Sequence, residues 1–166
     1  MIEIQDLQKS AIQQFLERSD YGHLACCADD EPYVVPIHFA YCDPFIYIYT
    51  TEGKKTEIIA RNPRVCLQVE EVSSNRQWTS VIVYGEAERL VDERLKTEAL
   101  NAVLSRNPTL TPAVSIRWID SWIRENIEAV YRIIPVEMTG RATLDRSAAD
   151  EDDGDVVPAR SRTDVL

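Results

Sequence analysis

Apolar and polar positions along this chain change period several times, and each period predicts an element. Ile4, Leu7, Ala11, Ile12, Phe15 and Leu16 recur at helical spacing. They predict an amphipathic helix over residues 3–18, ended by Asp20-Tyr21-Gly22. "HLACCA" (23–28) is short and apolar and predicts a strand, followed by a turn at "DDEP" (29–32). "YVVPIHFAY" (33–41) alternates. Tyr33, Val35, Ile37, Phe39 and Tyr41 share one face, and Val34, Pro36, His38 and Ala40 the other. Pro36 has no N–H to give to a ladder, so this strand is expected at an edge or bulged there. Asp43-Pro44 is a second turn, and "FIYIYT" (45–50) a third strand.

The pattern then becomes mixed. Residues 54–62 predict a short helix ended by Asn62-Pro63, and "RVCLQVEE" (64–71) a fourth strand. "VSSNRQ" (72–77) reads as a polar loop, and "WTSVIVYGEAERLVD" (78–92) begins as a long fifth strand. Leu95, Ala99, Ala102 and Val103 offer one face of a helix over 93–104. "SRNPTLTP" (105–112) interrupts with two prolines. Residues 114–125 predict another helix carrying Trp118 and Trp122, four apart as a packing pair would be. "EAVYRIIPVEMTG" (128–140) is a sixth strand. Five of the six residues from Asp150 to Asp155 are acidic, and no hydrophobic period follows. We therefore expect one folded domain over 1–144 and a disordered acidic tail over 145–166. Six strands with hairpin-length turns and only short helices predict a closed or partly closed antiparallel barrel. Five glycines and no GxGxxG argue against a dinucleotide-binding doubly wound fold.

Composition narrows the function. The formal net charge of −10 argues against a nucleic-acid binder, because phosphate backbones need a basic surface. No apolar run approaches the roughly 20 residues that span a bilayer, so no membrane partner is expected. The N-terminus shows no basic start and apolar block, so the expected compartment is the cytoplasm. Cys26, Cys27, Cys42 and Cys66 form no CxxC pair and read as small thiols rather than zinc ligands, and no metal site is expected.

One stretch stands out against this acidic background. Thr50-Thr51-Glu52-Gly53-Lys54-Lys55 joins a strand to a helix. Free N–H groups at a helix start favour an anion, the hydroxyls can add hydrogen bonds, and two lysines add charge. The turn reads as a phosphate cradle or as a solvated lysine pair. Lysines do not help a helix N-terminus, which favours the cradle.

The blocks "GHLACCADDEPYVVPIHFAY", "IYIYTTEGKKTEIIARNPRVCLQVE", "WTSVIVYGEAERL" and "VEMTGR" occur in an order that resembles the pyridoxamine 5'-phosphate oxidase-related flavoproteins. The branch they are most similar to includes the nitroimidazole-resistance reductases. The resemblance spans roughly residues 5–143. It implies a mainly β FMN-binding split barrel of six antiparallel strands with flanking helices, usually a homodimer with two FMN sites at the subunit interface. By this resemblance Lys54 and Lys55 hold the FMN phosphate, with Thr50 and Thr51 beside it. Lys54 stands where the family usually has arginine, so a bidentate contact becomes a point charge. Val34, Val35, Pro36, Ile37 and His38 lie along the isoalloxazine. Trp78, Thr79, Ser80 and Val81, on the strand before Gly85, also contact the flavin.

The implied function is an FMN-dependent oxidoreductase of the flavin reductase or oxidase type acting on a small molecule, in which the cofactor carries the chemistry. His38 is the candidate catalytic residue, and a structural histidine is its alternative. His23, Tyr49 and Tyr84 read as structural, while Trp78 could cover a ring or pack in an interface. The same barrel could instead bind haem through His38 or His23, prefer a deazaflavin, or serve as a non-catalytic dimeric binding module.

Overall fold

The computed structural model describes residues 2–107 and 128–145. The elements run β1 (Ile2–Asp6), α1 (Lys9–Arg18), β2 (Tyr21–Ala28), β3 (Glu31–Cys42), β4 (Phe45–Thr51), α2 (Lys54–Arg61), β5 (Arg64–Ser74), β6 (Gln77–Arg89), α3 (Glu93–Arg106) and β7 (Glu128–Asp145). All seven strands belong to one antiparallel sheet in the order β1-β7-β4-β3-β2-β5-β6. A further pairing between β6 and β7 closes the barrel. The split-barrel expectation holds, with one strand more than expected.

Period-two alternation builds the interior. Leu24, Ile37, Phe39, Tyr41, Ile46, Ile48, Leu67, Val69, Val81, Val83 and Ile133 point inward and form one core. Ile12, Phe15 and Leu16 of α1 cover it on one side, and Ile58 and Ile59 of α2 on another. At roughly 1.5–3 kcal/mol for each large aliphatic or aromatic side chain, this burial is the main drive to the barrel. Ala99 of α3 packs outside against Leu90 and Val130, a small second cluster joined by Tyr47 and Tyr49.

The β2–β3 connection is a two-residue turn in which Asp29 and Asp30 have φ of 54° and 62°. Two positive-φ residues suit a hairpin turn whose twist matches its strands. Pro36 pairs with His23 on one side, while β4 pairs only with residues 39–42 of β3. Pro36 therefore lies on a free edge of its strand, where its missing N–H costs no ladder bond.

Two expectations are corrected. Residues 2–6 form β1, not the first turns of the predicted helix. Ile2 and Ile4 alternate with Glu3 and Gln5, but Ile4 also fits the helical spacing of Leu7 and Ala11; all five residues are exposed, and their ladder partners lie at 141–145. The predicted loop 72–77 is mostly strand. β5 and β6 run on to Ser74 and Gln77 with exposed side chains, because their hairpin projects past the core. The helix expected at 114–125 and the tail beyond residue 145 lie outside the described residues. No helix among the described residues is long and apolar enough to cross a membrane.

Candidate functional site

The turn between β4 and α2 lies at the mouth of the barrel. Asn62 Nδ2 donates to the Cys27 carbonyl at 2.7 Å, fixing the far end of α2 on β2. At the near end, the Gly53 N–H donates to Thr56 Oγ1 at 2.9 Å, and that hydroxyl donates back to the Gly53 carbonyl at 2.8 Å. This leaves the first-turn amides of Lys54, Lys55 and Thr56 with no acceptor inside the helix. A Cβ built on Gly53 would meet nothing within 4 Å, so the approach to the turn is open.

The two lysines part company. Lys54 is exposed, and its Nζ lies 5.2 Å from the centroid of the Tyr33 ring. Lys55 is half-buried, and its Nζ donates to the Thr51 carbonyl at 3.1 Å. Burial pushes the Lys55 ammonium below its ordinary pKa, against the opposing pull of Glu52 and Cys26. Lys55 lines a small cavity with Thr50, Thr56, Ala87 and Tyr131. Thr50 is buried there beneath α2, whereas Thr51 is half-exposed. Glu52 is bound to Arg89 of β6. Burial alone would raise the Glu52 carboxyl, but the nearby Thr56 hydroxyl, the hydrogen bond from Arg89 and the charges of Arg89 and Lys55 hold it below the usual range. Three free amides, an exposed ammonium and a second ammonium behind them form a donor set that fits a phosphate. Lys54 and the amides are its outward part, and Lys55 backs the turn from inside.

The outer face of the sheet is laid out in rows by the register. Pro36, His23, Gln68, Ile82 and Thr139 form one row. Val34, Ala25, Cys66, Tyr84 and Glu137 form the next. Val34 is 61% exposed, Tyr84 48% and Tyr21 46%, so the face carries apolar side chains into solvent. Val34, Pro36 and His38 point outward, while Ile37 is buried and Val35 half-buried on the inner side. Only the backbone of residues 35 and 37 can meet a ligand on the outer face. The His38 ring lies edge-on to Tyr21 at 5.4 Å, and Tyr21 is edge-on to His23 at 5.7 Å. His38 Nδ1–H donates to the Asp20 carbonyl at 3.3 Å, which leaves Nε2 as the proton acceptor. His23 Nδ1 pairs with Gln68 Oε1 at 3.1 Å. Among the described residues no three His, Cys, Asp or Glu side chains are grouped to hold a metal.

Trp78, Thr79, Ser80 and Val81 begin β6 at the opposite end. From the Val65–Gly85 pair near the turn to the Glu70–Ser80 pair is five residue steps, about 17 Å along the strands. Val81 is fully buried in the barrel. Trp78 and Ser80 instead line a groove of about 720 Å³ with Asp6, Leu7, Ile82, Met138, Thr139, Gly140 and Arg141. One chain therefore does not bring the Trp78 end and the Lys54 turn together. Arg141 entered the sequence reading only within "VEMTGR", with no role. Its signal was an arginine directly after the glycine that closes the sixth predicted strand.

The sequence profile described as pyridoxamine 5'-phosphate oxidase matches residues 8–142. A protein of uncharacterised function from Rhizobium meliloti is 31% identical over 140 residues, covering 82% of this chain and 93% of the relative. A crystal structure of an FAD-binding protein from Mesorhizobium loti superposes with a TM-score of 0.71 at 31% identity, covering 87% of this chain and all of that one. A candidate 5-nitroimidazole antibiotic resistance protein from Bacteroides thetaiotaomicron shares the fold, with a TM-score of 0.66 at 21% identity, covering 86% and 89% of the two chains.

Proposed function

This chain belongs to the pyridoxamine 5'-phosphate oxidase family, and from that premise we infer that it is a flavin-dependent oxidoreductase acting on a small molecule. The observation that carries the reading is the Lys54 turn: three free amides and an exposed ammonium at one helix start, in a chain of net charge −10. The similarity to an FAD-binding protein supports a flavin, and the turn suits the single phosphate of FMN.

The bound flavin would supply hydride chemistry. The chain's own residues bind and orient it. Lys54 and the amides of residues 54–56 hold the phosphate, with Lys55 and Thr51 behind it. Residues 34–38 lie along the ring with Val34, Pro36 and His38 facing it. His38 Nε2 accepts or returns a proton beside the ring. Because one chain separates Trp78 from Lys54, the second wall of the ring site comes from a second copy. The exposed apolar face around Val34 and Tyr84 is the surface on which the two copies meet. The proposed assembly is a homodimer.

The test is an absorption spectrum of the purified protein, before and after incubation with FMN, FAD or haemin and removal of excess. A retained flavin spectrum that bleaches under a reductant is the expected result, and mass analysis of the released cofactor assigns FMN or FAD. A haem band without flavin, or no retained chromophore, would overturn the reading.

A further inference from the structure

The groove at the β1–β6–β7 corner shares Trp78 and Ser80 with the proposed second wall of the ring site, and adds Arg141, Thr139, Leu7, Ile82 and Met138, which the flavin reading does not use. Its volume of about 720 Å³ falls within the size of small-molecule sites. Trp78 forms one wall, and its backbone is fixed by its N–H donating to Thr143 Oγ1 at 2.9 Å. Ile82, Met138 and Leu7 add apolar surface. The Ser80 and Thr139 side chains, half-exposed and exposed, add hydroxyls. Ser80 is directly opposite Arg141 in the ladder, and Ile82 is opposite Thr139. Indole, hydroxyls and guanidinium therefore converge on one space.

We propose that this groove binds a small planar aromatic carboxylate, stacked on Trp78 with its carboxylate on Arg141. The charge arithmetic selects a monoanion. Arg141 is the one cation among the described residues that line the groove, and its Nε already donates to Asp6 Oδ1 at 3.2 Å. That pair is exposed on both sides, so it is weak and an incoming carboxylate can displace it. A dianionic phosphate would leave excess negative charge beside Asp6 in a protein already at −10. A carboxylate takes the guanidinium fork in a bidentate grip. The groove's role as the substrate site rests on the flavin reading above, but its binding of a carboxylate does not.

The experiment uses the purified protein with whatever cofactor it carries, and two probes of one shape. 4-Nitrobenzoate is anionic and 4-nitrobenzamide is its neutral counterpart. Titration calorimetry should show the anion binding about ten-fold more tightly, the range of one charged hydrogen-bonded contact. Arg141→Gln should remove that preference and leave the amide's affinity and the flavin content unchanged. Asp6→Asn should sharpen the preference by freeing the guanidinium. Trp78→Ala should weaken both probes. Equal affinities in the parent protein, a preference that survives Arg141→Gln, or no binding of either probe would overturn the proposal. Flavin loss with intact probe binding would instead sink the cofactor reading and leave the groove standing.

Discussion

Lys54 and Lys55 are adjacent in sequence and unlike in place. A helix turns about 100° per residue, so neighbours cannot face the same way. The sequence shows the pair but not its division, because that depends on which side of α2 meets the barrel. Tyr33 is part of the answer: its ring lies under the Lys54 ammonium and holds the charge near the open turn. Such a contact contributes roughly 0.5–1 kcal/mol at an exposed site. Tyr33→Leu should therefore weaken flavin binding by roughly two- to five-fold by fluorescence titration, while Tyr33→Phe keeps it. Lys54→Ala should cost about ten-fold or more, since it removes a charged contact rather than its support. Glu52 gives a pH signature. Its folded pKa is held below the ordinary 4.5, so its stabilising effect is present above that value and is lost as pH falls through the lower folded one. Glu52→Gln should melt below the parent at neutral pH, and the gap should close in acid.

Elements were legible where burial imposes a period. The alternation of residues 33–41 names the inward and outward faces of β3 correctly, and Pro36 announces the free edge. β1 was not legible, because its short alternation merges with the helical spacing of Ile4, Leu7 and Ala11, and its partner strand lies some 135 residues away. Gly85 marks a different limit. The β6–β7 register shifts between Tyr84 and Gly85. A Cβ at Gly85 would lie 2.6 Å from the Ile134 carbonyl oxygen and 2.7 Å from Ile133 Cγ2. Backbone on one side and core on the other leave nothing to yield cheaply. Gly85→Ala should destabilise the fold by about 1–3 kcal/mol, read as a lower urea midpoint with an unchanged slope. The sequence shows a glycine inside a strand. Only the register shows that a neighbouring backbone passes where its side chain would be.

At the scale of the molecule, the sequence disclosed the barrel and the lysine turn but not that one chain keeps the two halves of the candidate site apart. Strand register sets that distance, and register is a long-range property. The consequence is a coupling between assembly and cofactor. Val34 and Tyr84 stand in one row of the outer face, flanking Ala25 and Cys66, and both are exposed in the single chain. A carboxylate at either position would put charge into the centre of the proposed dimer face, where an uncompensated ion is costly. Val34→Glu and Tyr84→Glu should each give a monomer by light scattering. Neither side chain is in the core, so far-UV circular dichroism should stay that of the barrel. In Tyr84→Glu, which leaves Lys54, its amides and residues 34–38 untouched, flavin should then be lost in step with the dimer. A monomer that retains flavin at full affinity would show that one chain suffices for the site. A dimer unaffected by both changes would place the partner on another face.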